Sequence, residues 1–295
     1  MTKSESKVLY ARGEATNKTA LAYKFRNDVL FKMLFVQNPG LLKHLVANIL
    51  GIKLESIGEF VVKNPEMPPE VAGDKFCYLD ISMRIDGRNV VLELQVEAEE
   101  GYKDRAVYYL AREYSSALKS GEDYTEVSQT YIISIVGFKL FECTEYYSEF
   151  LLLEKSRHER LTDNVSIRFF ELPKLPTEFS ADDELMLWLS LFAANTEEEL
   201  ALINELEVPI MGQAIDAYHK VTATDEFKEL ERTRHYAEHN KATALNFARK
   251  EGYREAEEKW QSVVAEKDAT LAEKDALIEK LLAQTSKDGQ QAKTD

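Results

Sequence analysis

A chain of 295 residues with 44% apolar and 10% aromatic residues can bury a full core, which excludes a largely disordered protein. A net charge of −15 excludes a protein that coats nucleic acid by bulk attraction. The acidity is uneven, however: residues 1–180 carry 23 Lys and Arg against 27 Asp and Glu, whereas residues 181–295 carry 14 against 25, so a local basic face stays open in the first part.

Residues 1–20 are polar and without period, which predicts a mobile leader. Phe25, Val29, Phe31 and Leu34 recur near 3.6-residue spacing and predict a helix from Ala22 to Phe35. Pro39 and Gly40 break it, and Leu41–Leu50 continues as a second helix ended by Gly51. Glu55–Lys63 reads as a strand, and Asn64–Pro69 as a loop. Phe76–Ile85 and Asn89–Val96 then alternate as two strands joined by Asp86-Gly87, a pair that accepts the positive φ angles of a type I′ hairpin turn. A helix over Lys103–Ser120 follows, with Val107, Leu110, Ala111, Tyr114 and Leu118 on its expected inner side and Gly121 at its end. Gln129–Val136 and Ser166–Leu172 read as further strands. The order strand, strand, helix, strand predicts a mixed α/β core over residues 21–180.

After Pro176 the strand signal stops. Asp182–Ala194, Glu197–Leu206 and Pro209–Ala223 read as helices of a region spanning 181–250, and Asp225–Trp260 continues as one charged helix or two. Residues 251–295 repeat AEKDA with a seven-residue offset. Val264, Leu271 and Ile278 occupy one heptad position, but Trp260, Lys267, Lys274 and Leu281 occupy the other. Two lysines in four leave a weak coiled coil, which would allow a homodimer, or a solvated single helix. The final SKDGQQAKTD predicts disorder.

The hairpin carries the chemistry. A two-residue turn sets Ile85 opposite Arg88, so paired numbers sum to 173 and Asp80 faces Glu93 across the ladder, with Gln95 two residues on along the same face. Two carboxylates directly opposite repel, and burying both as anions costs several kcal/mol unless a cation joins them. Hard oxygen donors at this separation suit Mg²⁺ or Mn²⁺. A solvated sheet face with two acids is the alternative.

The spacing from Asp80 to Glu93-Leu94-Gln95 is similar to the PD-(D/E)XK nuclease core, with Gln95 where lysine usually stands and Leu79 in place of the proline. Asp28–Phe35, Leu79-Asp80-Ile81, Glu93-Leu94-Gln95, Arg105 with Tyr108-Tyr109, Ile133–Phe138 and Phe170–Lys174 resemble, in order and spacing, the Rpn family of recombination-promoting nucleases. That family is also described as PD-(D/E)XK nuclease family transposases, and the resemblance covers about residues 22–195. It implies a restriction-endonuclease-like core, a mixed sheet flanked by helices, followed by the C-terminal helical region. It further implies an Mg²⁺- or Mn²⁺-dependent DNA endonuclease in which Asp80 and Glu93 hold the metal and Gln95 positions water or phosphate. Asp28 is a candidate third carboxylate, and Arg105, Tyr109 and Lys32 are candidate nucleic-acid contacts. A degenerate nuclease fold acting as a binding or scaffold protein is the rival reading, and the same residues would also serve on RNA.

The remaining motifs read blandly. His235 and His239 stand four apart on a helix but lack a third ligand and the Glu of a metalloprotease motif. Ser115, Ser116 and Cys143 have no base partner for nucleophilic catalysis. No glycine pattern for ATP or NAD occurs, so no nucleotide cofactor is expected. No apolar run reaches the roughly 18 to 20 residues of a membrane span, and MTKSESKVLYARGEATNKTA lacks a signal peptide's apolar stretch. Cys77 and Cys143 both sit in apolar runs and read as buried thiols of a reducing compartment, which predicts the cytoplasm.

Overall fold

The computed structural model describes residues 8–9, 19–63, 81–118, 121 and 123–291. Strand β1 (Val8–Leu9) precedes helices α1 (Asp28–Gln37) and α2 (Pro39–Leu50). Strands β2 (Phe60–Val62), β3 (Ile81–Ile85) and β4 (Arg88–Gln95) lead to helix α3 (Tyr102–Ser116). Strands β5 (Thr130–Val136), β6 (Tyr147–Phe150), β7 (Val165–Glu171) and β8 (Phe179–Ser180) follow, then helices α4 (Glu184–Ala193), α5 (Glu197–Asn204), α6 (Pro209–Ala223) and α7 (Asp225–Gln291).

Six strands form one mixed sheet in the order β2-β3-β4-β5-β7-β6, and β1 pairs with β8 separately. The β4–β5 and β5–β7 pairs are parallel, while β2–β3, β3–β4 and β6–β7 are antiparallel. The expected mixed sheet flanked by helices is therefore present. Parallel strands need long crossover connections and cover on both faces. Here α1, α2, α4, α5 and α6 share the larger core with Val90, Leu92 and Leu94 of β4, and α3 covers the other face through Tyr102, Ala106 and Tyr109 with Val91, Ile132 and Phe169. Because side chains alternate along a strand, Glu93 and Gln95 fall on the α3 face with Val91.

Several elements differ from expectation for identifiable reasons. Helix α1 starts at Asp28, not Ala22, because the Asn27 side chain accepts from Leu30 N and caps it there. The residues before it are held by tertiary contacts instead: Phe25 stacks on Tyr218, and Arg26 donates to the Phe192 and Ala193 carbonyls. Pro39 and Gly40 belong to α2, with Pro39 in the first turn where its missing N–H costs nothing. The strand expected over Glu55–Lys63 shrinks to β2, with a 3-10 turn at Leu54–Ser56 before it. Helix α3 is rotated from the expected stripe. Tyr102, Ala106 and Tyr109 are buried against Val91, Ile132 and Phe169, whereas Val107 is 56% exposed and Ala111 is exposed. Cys143 is exposed rather than buried, lying in the irregular segment between β5 and β6. Cys77 and the loop Asn64–Pro69 lie outside the described residues.

The chain divides into compact units at residues 1–230 and 231–295. The second unit is the continuation of α7, one charged helix laced by pairs such as Arg234 with Glu231 and Glu238, each at 2.6 Å. Residues 286–291 of the tail expected to be disordered are helical; the last four lie outside the described residues. Among the described residues no helix is long and apolar enough to cross a membrane.

Candidate active site

The Asp86-Gly87 turn has the geometry its sequence demands: φ is 46° at Asp86 and 78° at Gly87, both positive as a type I′ turn requires. Asp86 also ties the hairpin to the preceding segment, its Oδ1 accepting from Gly58 N at 3.0 Å and Glu59 N at 2.8 Å. Ile85 pairs with Arg88 and Ile81 with Leu92, so the register read from the sequence holds through the whole described ladder. Asp80, one residue before β3, lies outside the described residues.

Glu93 is 6% exposed in the middle of the sheet, paired on its other side with Ser134 of β5. The hydroxyls of Ser134 and Tyr102 are hydrogen-bonded, so the first residue of α3 is fastened to the strand neighbour of Glu93. One turn further along α3, Arg105 Nη2 donates to Gln95 Oε1 at 2.5 Å and Nη1 donates to Glu99 at 2.7 Å. Its guanidinium lies over the Tyr102 ring at 4.8 Å. Gln95 Nε2 donates to the Glu97 carbonyl at 2.9 Å. Glu93, Ser134, Tyr102, Arg105 and Gln95 thus form one constellation between the sheet and α3.

A close backbone approach sets the end of β4. Gly137 N donates to the Gln95 carbonyl at 2.8 Å, and a Cβ at Gly137 would stand 2.8 Å from the Val96 carbonyl oxygen. Only glycine lets β5 leave the sheet there without displacing the strand that carries Glu93 and Gln95.

The model of the family described as PD-(D/E)XK nuclease family transposase matches residues 25–248. The chain belongs to this family. No curated protein and no solved structure matches it. The match reaches past residue 195, where the motif resemblance ends, and takes in α5, α6 and the start of α7. Membership places the chain among nuclease-like proteins, a class in which divalent metals and DNA are the usual cofactor and partner.

The metal such nucleases use can be tested against the donors present. Among the described residues no three His, Cys, Asp or Glu side chains cluster to hold an ion. Glu93 offers a buried carboxylate, while the Gln95 carbonyl oxygen on the same face is already taken by Arg105. Oxygen donors of this kind fit Mg²⁺ or Mn²⁺ rather than a thiolate- or imidazole-loving metal.

Other candidates of this family member fall elsewhere. Asp28 is exposed in the first turn of α1, a helix whose core lies on the opposite sheet face from Glu93. Lys32 is buried, with 8% of its surface exposed. Tyr109 is buried in the small core, and its neighbour Tyr108 is the exposed ring. His235 and His239 stack edge to face at 4.6 Å, and Ser115 and Ser116 donate back to helix carbonyls of Arg112 and Glu113. The Phe170–Lys174 motif is a staple: Glu171, 1% exposed, accepts from Leu140 N and from Lys174 Nζ at 2.7 Å, and Lys174 also donates to the Phe141 carbonyl. Sequence reading missed Ser134 and Tyr102, which nothing local marks because their meeting depends on the parallel β4–β5 register.

Proposed function

We propose that this chain is an Mg²⁺- or Mn²⁺-dependent endonuclease that hydrolyses DNA phosphodiesters at the hairpin, with Asp80 and Glu93 as metal ligands and Gln95 as the group that orients water or phosphate. The observation that carries this reading is Glu93: a buried carboxylate in mid-sheet, on a strand whose described hairpin register is the one the turn predicts, in a chain of a nuclease family. Setting a second carboxylate beside buried Glu93 would be costly without a cation. A divalent cation bound there would supply Lewis-acid activation of water and offset charge on the scissile phosphate. The chain's own part is to fix the ligands on a rigid hairpin and to aim the Gln95 amide from the same strand. The exposed apolar residues of α7 at heptad spacing, Trp260, Val264, Leu271, Ile278 and Leu281, support a homodimer through that helix.

A degenerate scaffold is the rival, favoured by the neutral Gln95 and the acidic C-terminal part. Calorimetry with Mn²⁺ separates the two. Binding by the parent chain and its loss in Asp80→Ala, with an unchanged melting temperature, is expected. No heat of binding from the parent chain would favour the scaffold.

A further inference from the structure

We infer that Arg105 is a positioning residue for Gln95: it fixes the amide as a hydrogen-bond donor and brings to the site, from α3, the positive charge that strand position 95 lacks. The inference rests on the nuclease reading above and deepens it.

The chemistry of the contact dictates the orientation. A guanidinium has five donors and no acceptor, so the Gln95 atom that meets Arg105 Nη2 at 2.5 Å is the carbonyl oxygen. The Nε2 end must then point the other way, where one of its two hydrogens goes to the Glu97 carbonyl at 2.9 Å. The second hydrogen has no acceptor among the described residues, which suits it to a phosphate oxygen or to a lone pair of water. Reversed, the amide would offer a carbonyl oxygen to an anionic substrate and repel it.

Arg105 is itself held for this task. Its Nη1 is anchored on Glu99, its guanidinium carbon lies 4.8 Å from the centre of the Tyr102 ring, and 29% of the side chain is exposed. Its Nε is buried with no hydrogen-bond partner among the described residues. An orphaned donor on a cation is an unspent polar group, and here it sits in the constellation that contains Glu93 and Gln95. Tyr102 and Arg105, one helical turn apart, address successive levels of the same sheet face. Tyr102 reaches Ser134, the ladder partner of Glu93, and Arg105 reaches Gln95. A simple DNA-backbone contact would need none of this scaffolding.

The test uses the full chain and two variants. Arg105→Met keeps an unbranched side chain of similar reach beside Tyr102 and removes the donors and the charge; Arg105→Lys keeps a donor and the charge. Plasmid nicking with Mn²⁺ should show kcat lowered by about 100-fold in Arg105→Met, KM for DNA little changed, and a substantial part of kcat regained in Arg105→Lys. Independently of cleavage, calorimetry should show Mn²⁺ bound several-fold more tightly by Arg105→Met, because a cation held at Gln95, two residues along the same strand face from Glu93, has been removed. A loss confined to KM and the salt dependence would overturn the inference and make Arg105 a phosphate contact. So would a folded Arg105→Lys as inactive as Arg105→Met, or Mn²⁺ affinity unmoved in Arg105→Met. A parent chain that neither binds Mn²⁺ nor cuts overturns the nuclease reading itself, and this inference with it.

Discussion

His44 shows how much a single residue can reveal about its surroundings. Its Nδ1 accepts from Trp188 Nε1 at 3.1 Å, which fixes the ring as the neutral tautomer with Nε2–H directed at Glu184, 3.2 Å away. Burial is the largest influence and holds its pKa below the ordinary 6.5, against the opposing pull of Glu184 and Glu55. A folded-state pKa below the unfolded one means stability is fully present above pH 6.5 and is lost as the pH falls toward the depressed value. In urea unfolding, His44→Phe should cost about 1–3 kcal/mol near pH 7.5, because Trp188 N–H loses its acceptor. That deficit should narrow as the pH drops below 6.5, where only the wild type pays for protonation. A deficit that widens on acidification would mean the charged imidazole is the stabilised form. The same scale shows the limits of reading letters alone. Glu93 and Gln95 stand out in the sequence by spacing, but Tyr102 and Ser134 do not, because their contact is created by a pairing between strands some forty residues apart.

At the scale of elements, legibility tracks how local the determining chemistry is. The hairpin was readable because Asp86-Gly87 tolerates two positive φ angles and so admits a two-residue turn, which then fixes every pair in the ladder. The end of helix α2 was readable from Gly51, whose φ of 68° suits glycine, whereas its start was not, since Pro39 read as a breaker stands in its first turn. The face of α3 was not, because aliphatic Val107 and Ala111 look like core, while tertiary rings at Phe138 and Phe169 select Tyr102. Strand β6, Tyr147–Phe150, is an edge strand of mixed exposure with no alternation to announce it. Helix α7 is the element for which a second copy is proposed. Trp260, Val264, Leu271, Ile278 and Leu281 are all at least half exposed, a spacing a second α7 would cover, although Lys267 and Lys274 interrupt it. Light scattering of the full chain should therefore give the mass of a dimer, and the chain ended after Arg249 the mass of a monomer. Equal masses per chain for the two would remove α7 from the assembly.

For the whole molecule, the mixed sheet with a helical layer on each face was predictable in class, since strand runs with a helix between them leave few arrangements. Its strand order was not, because the parallel neighbours β5 and β7 are joined through a long connection that itself carries edge strand β6. Family membership over residues 25–248 and the sheet agree on a nuclease-like protein. The acidity concentrated after residue 180 leaves the sheet-bearing part close to neutral, so DNA would be met by local contacts rather than bulk charge. The central claim is that Glu93 serves a metal-dependent phosphodiesterase, and supercoiled plasmid incubated with and without Mn²⁺ tests it most directly. The parent chain should nick only with the metal, and Glu93→Gln, with unaltered melting, should not nick. Equal nicking by the parent chain and Glu93→Gln would contradict it.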